Sequence, residues 1–209
     1  RLSSGSKLNN ASDDAAGAAV SLKLDSQISR LNAAKSNVGN GISFSQTQDG
    51  YLKKVGTALD RMGELSVLAQ DTTKSSTDLA LYDKEFQKLA TFIDDTASKK
   101  FNDVALFSAT GIKVTQDEDG TAYTMSAVDL GAAGGKYKLA TATDVTDTTK
   151  AAAALTAVKN AVTQLASDRA DVGANQSVLQ NFSSTMSVLK DNLGAANSRI
   201  KDVDVAEES

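Results

Sequence analysis

The chain has 209 residues, 41% hydrophobic but only 5% aromatic, carries a net charge of −4, and contains no Trp, Pro, Cys or His. Without Cys there is no disulfide or thiolate nucleophile, and without His the commonest general base and zinc ligand are missing. No Lys/Arg run offers a phosphate-binding stripe, so nucleic acid is not an expected partner, and a core must come from Leu, Val, Ile and Ala.

Residues 1–12 are small and polar, opening Arg1-Leu2-Ser3-Ser4-Gly5, and read as an extended arm. Ser12, Asp13 and Asp14 supply cap and first-turn acids for a helix reaching about Gln70, roughly 80 Å at about 1.5 Å per residue. Its apolar stripe runs Leu24, Ile28, Leu31, Val38, Ile42, then Leu52, Val55, Leu59, Met62 and Ala69, with an apparent register shift between Ile42 and Leu52. Gly39 and Gly41 make a break there as well supported by propensity as an unbroken helix. Ser75-Ser76-Thr77-Asp78 is a turn and cap. A second helix then presents Leu79, Tyr82, Phe86, Leu89 and Ile93 on one face and ends near Ser98.

Residues 112–125 change to an alternating period around Asp117-Glu118-Asp119-Gly120, which predicts a β-hairpin with an Asp-Gly turn. Residues 126–149 are rich in Gly, Ala, Thr and Asp and read as loop, with room for one more short strand. A third helix follows Asp147-Thr148-Thr149 and runs almost to the end. Its stripe is Val158, Val162, Leu165, Val172, Leu179, Phe182, Met186, Leu189, Leu193, Ala196, Ile200 and Val203. Steps of three and four put these residues on one narrow seam. The expected fold is mainly α: an elongated bundle of long helices from both chain ends plus a small β-hairpin region. Its parts are a connecting arm at 1–12, a helical rod core at 13–111 and 150–209, and a short insert at 112–149. Such a body suggests building material rather than an enzyme. No run of about 18 apolar residues could span a membrane, so membrane insertion is not expected. No signal peptide opens the chain, and a start at Arg1 rather than Met suggests that the true beginning lies upstream.

The search for chemistry yields little. Gly135-Lys136 lacks the earlier glycine and the following Ser/Thr of a phosphate-binding loop, and Gly39-Asn40-Gly41 meets Phe44 where a dinucleotide loop needs glycine. Thr115, Asp117, Asp119 and Gly120 imitate part of a calcium loop, but Ser126 stands where its bidentate Glu belongs, so a solvated hairpin tip is the preferred reading. Asp168/Asp171 share a helix face and, with Asp202/Asp204, read as solvated or salt-bridged surface. No catalytic, metal or cofactor site is expected.

The end motifs carry more. Arg1-Leu2-Ser3-Ser4-Gly5 with Asp13-Asp14-Ala15-Ala16-Gly17, Asn40-Gly41-Ile42-Ser43, Leu59-Asp60-Arg61-Met62-Gly63-Glu64-Leu65 and Phe101-Asn102 resemble the N-terminal signature of the bacterial flagellin family. Arg169-Ala170-Asp171-Val172-Gly173-Ala174, Ala196-Asn197-Ser198-Arg199-Ile200 and Ala206-Glu207-Glu208 resemble its C-terminal one. The resemblance implies a structural subunit of the bacterial flagellar filament that self-assembles for motility, with a continuous first helix. It implies an extracellular location reached by export without a cleaved signal peptide. Its implied partners are other flagellin subunits, an export chaperone and the cap protein. In the family, terminal extensions beyond this sequence form an inner coiled coil, so the expectation is a trimmed core that stays monomeric. Arg1, Asp13 and Asp14 are the expected subunit contacts. The family's site for the flagellin-sensing Toll-like receptor maps to Leu59, Arg61, Glu64, Leu65 and Glu85, with departures at Gly63 and Leu68. Two other readings are a hook–filament junction protein and a flagellin-like surface binding protein.

Overall fold

The computed structural model describes residues 14–139 and 143–202; the arm at 1–12, Asp13 and the motif at 203–209 lie outside them. There are three helices, α1 (Ala15–Leu68), α2 (Ser76–Ala97) and α3 (Thr148–Lys201), and between α2 and α3 lie the short strands β1 (Lys100–Phe101), β2 (Val104–Ala105), β3 (Lys113–Thr115) and β4 (Ala122–Thr124). The fold is mainly α, with long helices from both chain ends. No described helix is long and apolar enough to cross a membrane.

Helix α1 is unbroken through Gly39 and Gly41. Its buried positions also correct the register shift expected from the apolar residues. One row of them runs Leu31, Ala34, Val38, Gly41, Ser45, Gln48, Leu52, Val55, Leu59, Met62 and Ser66, continued by Ala69 just past the helix end, in unbroken steps of three and four, with Phe44, Ala58 and Leu65 buried beside it. What lapses near residue 45 is apolarity, not periodicity. Helix α3 shows the same pattern: Ala151, Ala154, Val158, Ala161, Leu165, Asp168, Val172, Asn175 and Leu179, then Met186. Two expected seam members are displaced. Val162 is exposed where Ala161 is buried, and Ala196 is exposed where Asn197 is buried.

The chain divides into two compact units, and both long helices contribute to each. One unit holds residues 1–42, 113–123 and 178–209. Within it Val114 of β3 comes close to Gly41: a Cβ there would stand 3.0 Å from Val114 Cγ2 and 3.3 Å from Leu179 Cδ1. Tyr123 and Phe182 meet edge-on at 5.6 Å. Asp25 accepts from Asn197 Nδ2 at 2.6 Å and Lys201 Nζ at 2.5 Å, and Ser21 Oγ donates to Asn197 Oδ1 at 2.7 Å. The hydrogen bond from Lys201 holds the Asp25 carboxyl below its ordinary range. The β3–β4 hairpin closes with Gln116 N donating to Thr121 O, so its loop is Asp117–Gly120 rather than a two-residue Asp-Gly turn. Gly120 takes a φ of +87° there, and Asp117 Oδ1 accepts from the amides of Asp119 and Thr121.

The other unit holds residues 43–112 and 124–177. A capping box starts α2: Ser75 Oγ accepts from Asp78 N, and Asp78 Oδ2 accepts from Ser75 N at 3.0 Å. Its apolar face buries Leu79, Phe86, Ala90 and Ile93. Complete burial of side chains such as Leu52, Leu59 and Leu65 contributes about 1.5–3 kcal/mol each. After α2 the chain makes a β1–β2 hairpin that the sequence reading did not anticipate, with Asn102 and Asp103 both in the left-handed region. Between residues 126 and 147 no strand forms among the described residues; Val128 makes a single antiparallel bridge to Ser108.

Candidate functional site

On the outer side of α1 and α2, Arg61 is gripped by two carboxylates. Its Nε donates to Glu85 Oε1 at 2.7 Å, Nη2 to Glu85 Oε2 at 3.2 Å, and Nη1 to Glu64 Oε2 at 2.8 Å. The fork on Glu85 joins the two helices, while Glu64 lies one turn along α1. The three side chains are 44%, 45% and 63% exposed in the order Arg61, Glu85, Glu64, so the cluster is a surface feature. The bond from Arg61 holds Glu85 below its usual range, and the acids push the guanidinium pKa up. Leu68, Leu81 and Phe92 add exposed apolar area to this unit. Leu81 and Phe92 lie outside the expected apolar stripe of α2, falling opposite the Leu79–Phe86–Ile93 face. The remaining two residues of the expected receptor set, Leu59 and Leu65, are fully buried.

Of the expected subunit contacts, Arg1 and Asp13 lie outside the described residues. Asp14 precedes α1 and its Oδ1 accepts from Gly17 N at 2.9 Å, which caps the first turn. The acid pair Asp168/Asp171 does not form a surface pair. Asp171 is exposed, but Asp168 is buried, accepting from Tyr137 Oη at 2.5 Å and Gln164 Nε2 at 2.8 Å. Desolvation, reinforced by the Asp168 carboxylate, pushes the Tyr137 hydroxyl pKa up. That arrangement fastens a loop to a helix. Among the described residues no group of three or more acidic side chains is placed to hold a metal ion.

The segments that build the long helices are also those that match known proteins. Residues 1–112 match the bacterial flagellin N-terminal helical region and residues 155–209 the bacterial flagellin C-terminal helical region. The chain belongs to the bacterial flagellin family. A flagellin of Halalkalibacterium halodurans is 36% identical over 217 residues, covering 100% of this chain and 78% of that protein. The flagellar filament 33 kDa core protein of Treponema phagedenis is 36% identical over 229 residues, covering 100% and 79%. Among solved structures, a Bacillus cereus flagellin matches with a TM-score of 0.62 at 25% identity, over 72% of this chain and 88% of that one. As a flagellin, the chain is a structural, non-enzymatic subunit of the flagellar filament. Its partners are other flagellin subunits, and its place is the extracellular flagellum.

Proposed function

We propose that this flagellin meets its neighbours in the filament through the outer faces of α1 and α3. The observation that carries this reading is the use of the helical seams. Each unit spends the seam residues of α1 and α3 on its own core, which leaves the opposite faces of these helices free for other copies. Those faces carry Leu22, 70% exposed, and Val188, 62% exposed. Repetition of such patches between identical subunits generates an open helical array. Asp14, Asp13 and Arg1 belong to the same proposal as contacts made at the start of the chain. So do the export chaperone, the cap protein and export without a cleaved signal peptide, which rest on family membership. The test is electron microscopy and swimming of a strain whose flagellin carries Leu22→Glu and Val188→Glu. Export of folded, unpolymerised subunit supports the proposal; normal filaments sink it.

A second reading is favoured by the geometry at Arg61. A guanidinium fixed by two acids on an exposed helix pair is the kind of pre-ordered anchor that receptors use. We propose Arg61, Glu64 and Glu85 as the surface met by the flagellin-sensing Toll-like receptor, with Leu59 and Leu65 acting from beneath to hold the two helices. Reporter cells expressing the receptor test it. Arg61→Ala should abolish the response without changing the circular dichroism, and an unchanged response removes the proposal.

A further inference from the structure

Beside the Ser108–Val128 bridge lies a cavity of about 10 Å³, lined by Phe44, Gln48, Ser108, Thr110, Met125 and Ser126 among others. Gln48 is only 3% exposed. Its Nε2 donates to Leu106 O at 2.7 Å. That bond fixes the orientation of the amide, because a carbonyl accepts only from the NH2 side. The other end, Oε1, is buried and has no hydrogen-bond partner. A buried acceptor left in that state has lost its water without a replacement and destabilises the fold. The volume matches the ~10–15 Å³ that a single water needs, and the wall includes three hydroxyl side chains able to complete its two to four bonds.

We infer that this cavity is a binding site for one structural water, which donates to Gln48 Oε1 and ties α1 to the segments at 105–112 and 125–128. The ligand class follows from size and polarity. The space is too small for an organic molecule, and a purely apolar occupant would leave the glutamine oxygen unpaired. With the water, Gln48 becomes a two-ended clamp: its NH2 holds Leu106 directly and its oxygen holds the far wall through solvent.

Oxygen-17 relaxation dispersion on the intact chain counts long-lived internal waters. The wild type is expected to show one more than Gln48→Met, which keeps the side-chain length but offers neither bond. Equal counts from two folded proteins overturn the inference. Should Gln48→Met fail to fold, a crystal structure of the wild type at a resolution that shows ordered solvent decides the matter. A lone density peak within hydrogen-bond distance of Gln48 Oε1 supports the site. An empty cavity, or a protein donor on that oxygen, overturns it.

Discussion

Tyr137 donates its phenolic hydrogen to Asp168 Oδ2 over 2.5 Å, and both residues are buried. The tyrosine comes from the loop before α3 and the aspartate from the seam of α3, so one bond fastens the loop to the helix. Tyr137→Phe removes the donor and leaves a desolvated carboxylate with Gln164 as its remaining side-chain partner. We expect a loss of about 1–3 kcal/mol, read from thermal unfolding. Because the hydroxyl pKa is raised in the folded state, its contribution is complete below the unfolded tyrosine value of about 10 and is lost as pH climbs beyond it. Wild-type stability should therefore fall more steeply than that of Tyr137→Phe in alkaline buffer.

The same residue shows what could be read from the sequence and what could not. Leucine and valine at steps of three and four announce the helices, because such spacing is visible without knowing the partner. Asp168, Asn175 and Gln48 occupy the same heptad positions, yet their polarity makes the stripe seem to lapse. Each faces the non-helical segment: Asp168 meets Tyr137, Asn175 Oδ1 accepts from Ser126 N at 3.2 Å, and Gln48 holds Leu106 O. At these three positions a polar residue in a buried register marks where a loop replaces a helix as partner, and only the tertiary structure supplies that loop. The Arg61–Glu64 pair was legible as an i,i+3 neighbour on a helix. The Glu85 fork was not, since it depends on how α2 returns along α1.

Asn102 and Asp103 sit at φ values of 48° and 61°, the mirror-image turn that a two-residue hairpin requires. Asn and Asp tolerate this region, and glycine prefers it. Asp103→Gly is expected to raise the melting temperature, whereas Asp103→Val should lower it because a branched Cβ is strained there. Differential scanning calorimetry of the two variants checks both signs. A stabilised valine variant would show that the β1–β2 turn is not held in this conformation.

Gly50 and Gly111 should answer the same substitution in opposite directions. A Cβ on Gly50 would meet nothing within 4 Å, and the residue lies inside α1. Gly50→Ala should therefore stabilise the monomer by about 0.5–1 kcal/mol through helix propensity alone. A Cβ on Gly111 would stand 2.1 Å from Met125 O, a backbone atom that cannot swing aside. Met125 N also donates to Ile112 O at 2.8 Å, so the clash falls where the two segments are pinned together. Gly111→Ala should lower the denaturation midpoint and accelerate hydrogen exchange at the Met125 amide.

The pH profile should be a plateau with an acid edge. With no histidine in the chain, no side chain of ordinary pKa titrates between about pH 5 and 8. Below that window several carboxyls are held under their usual values: Asp25 by Lys201, Glu85 by Arg61, Asp78 by the Ser75 cap and Asp117 by Thr121. A depressed folded pKa means that the unfolded chain binds the proton first. The contribution is therefore present above the unfolded value near 4 and lost as pH falls through the folded one. These groups are exposed or half-buried at the surface, so each contributes little and salt should flatten the edge. Melting temperatures measured from pH 8 to pH 2.5, at low and high salt, test this. A transition centred between pH 6 and 7 would contradict it. Lys201→Met should reduce one share of the acid edge, by leaving Asp25 with Asn197 as its remaining side-chain donor, while keeping the plateau flat.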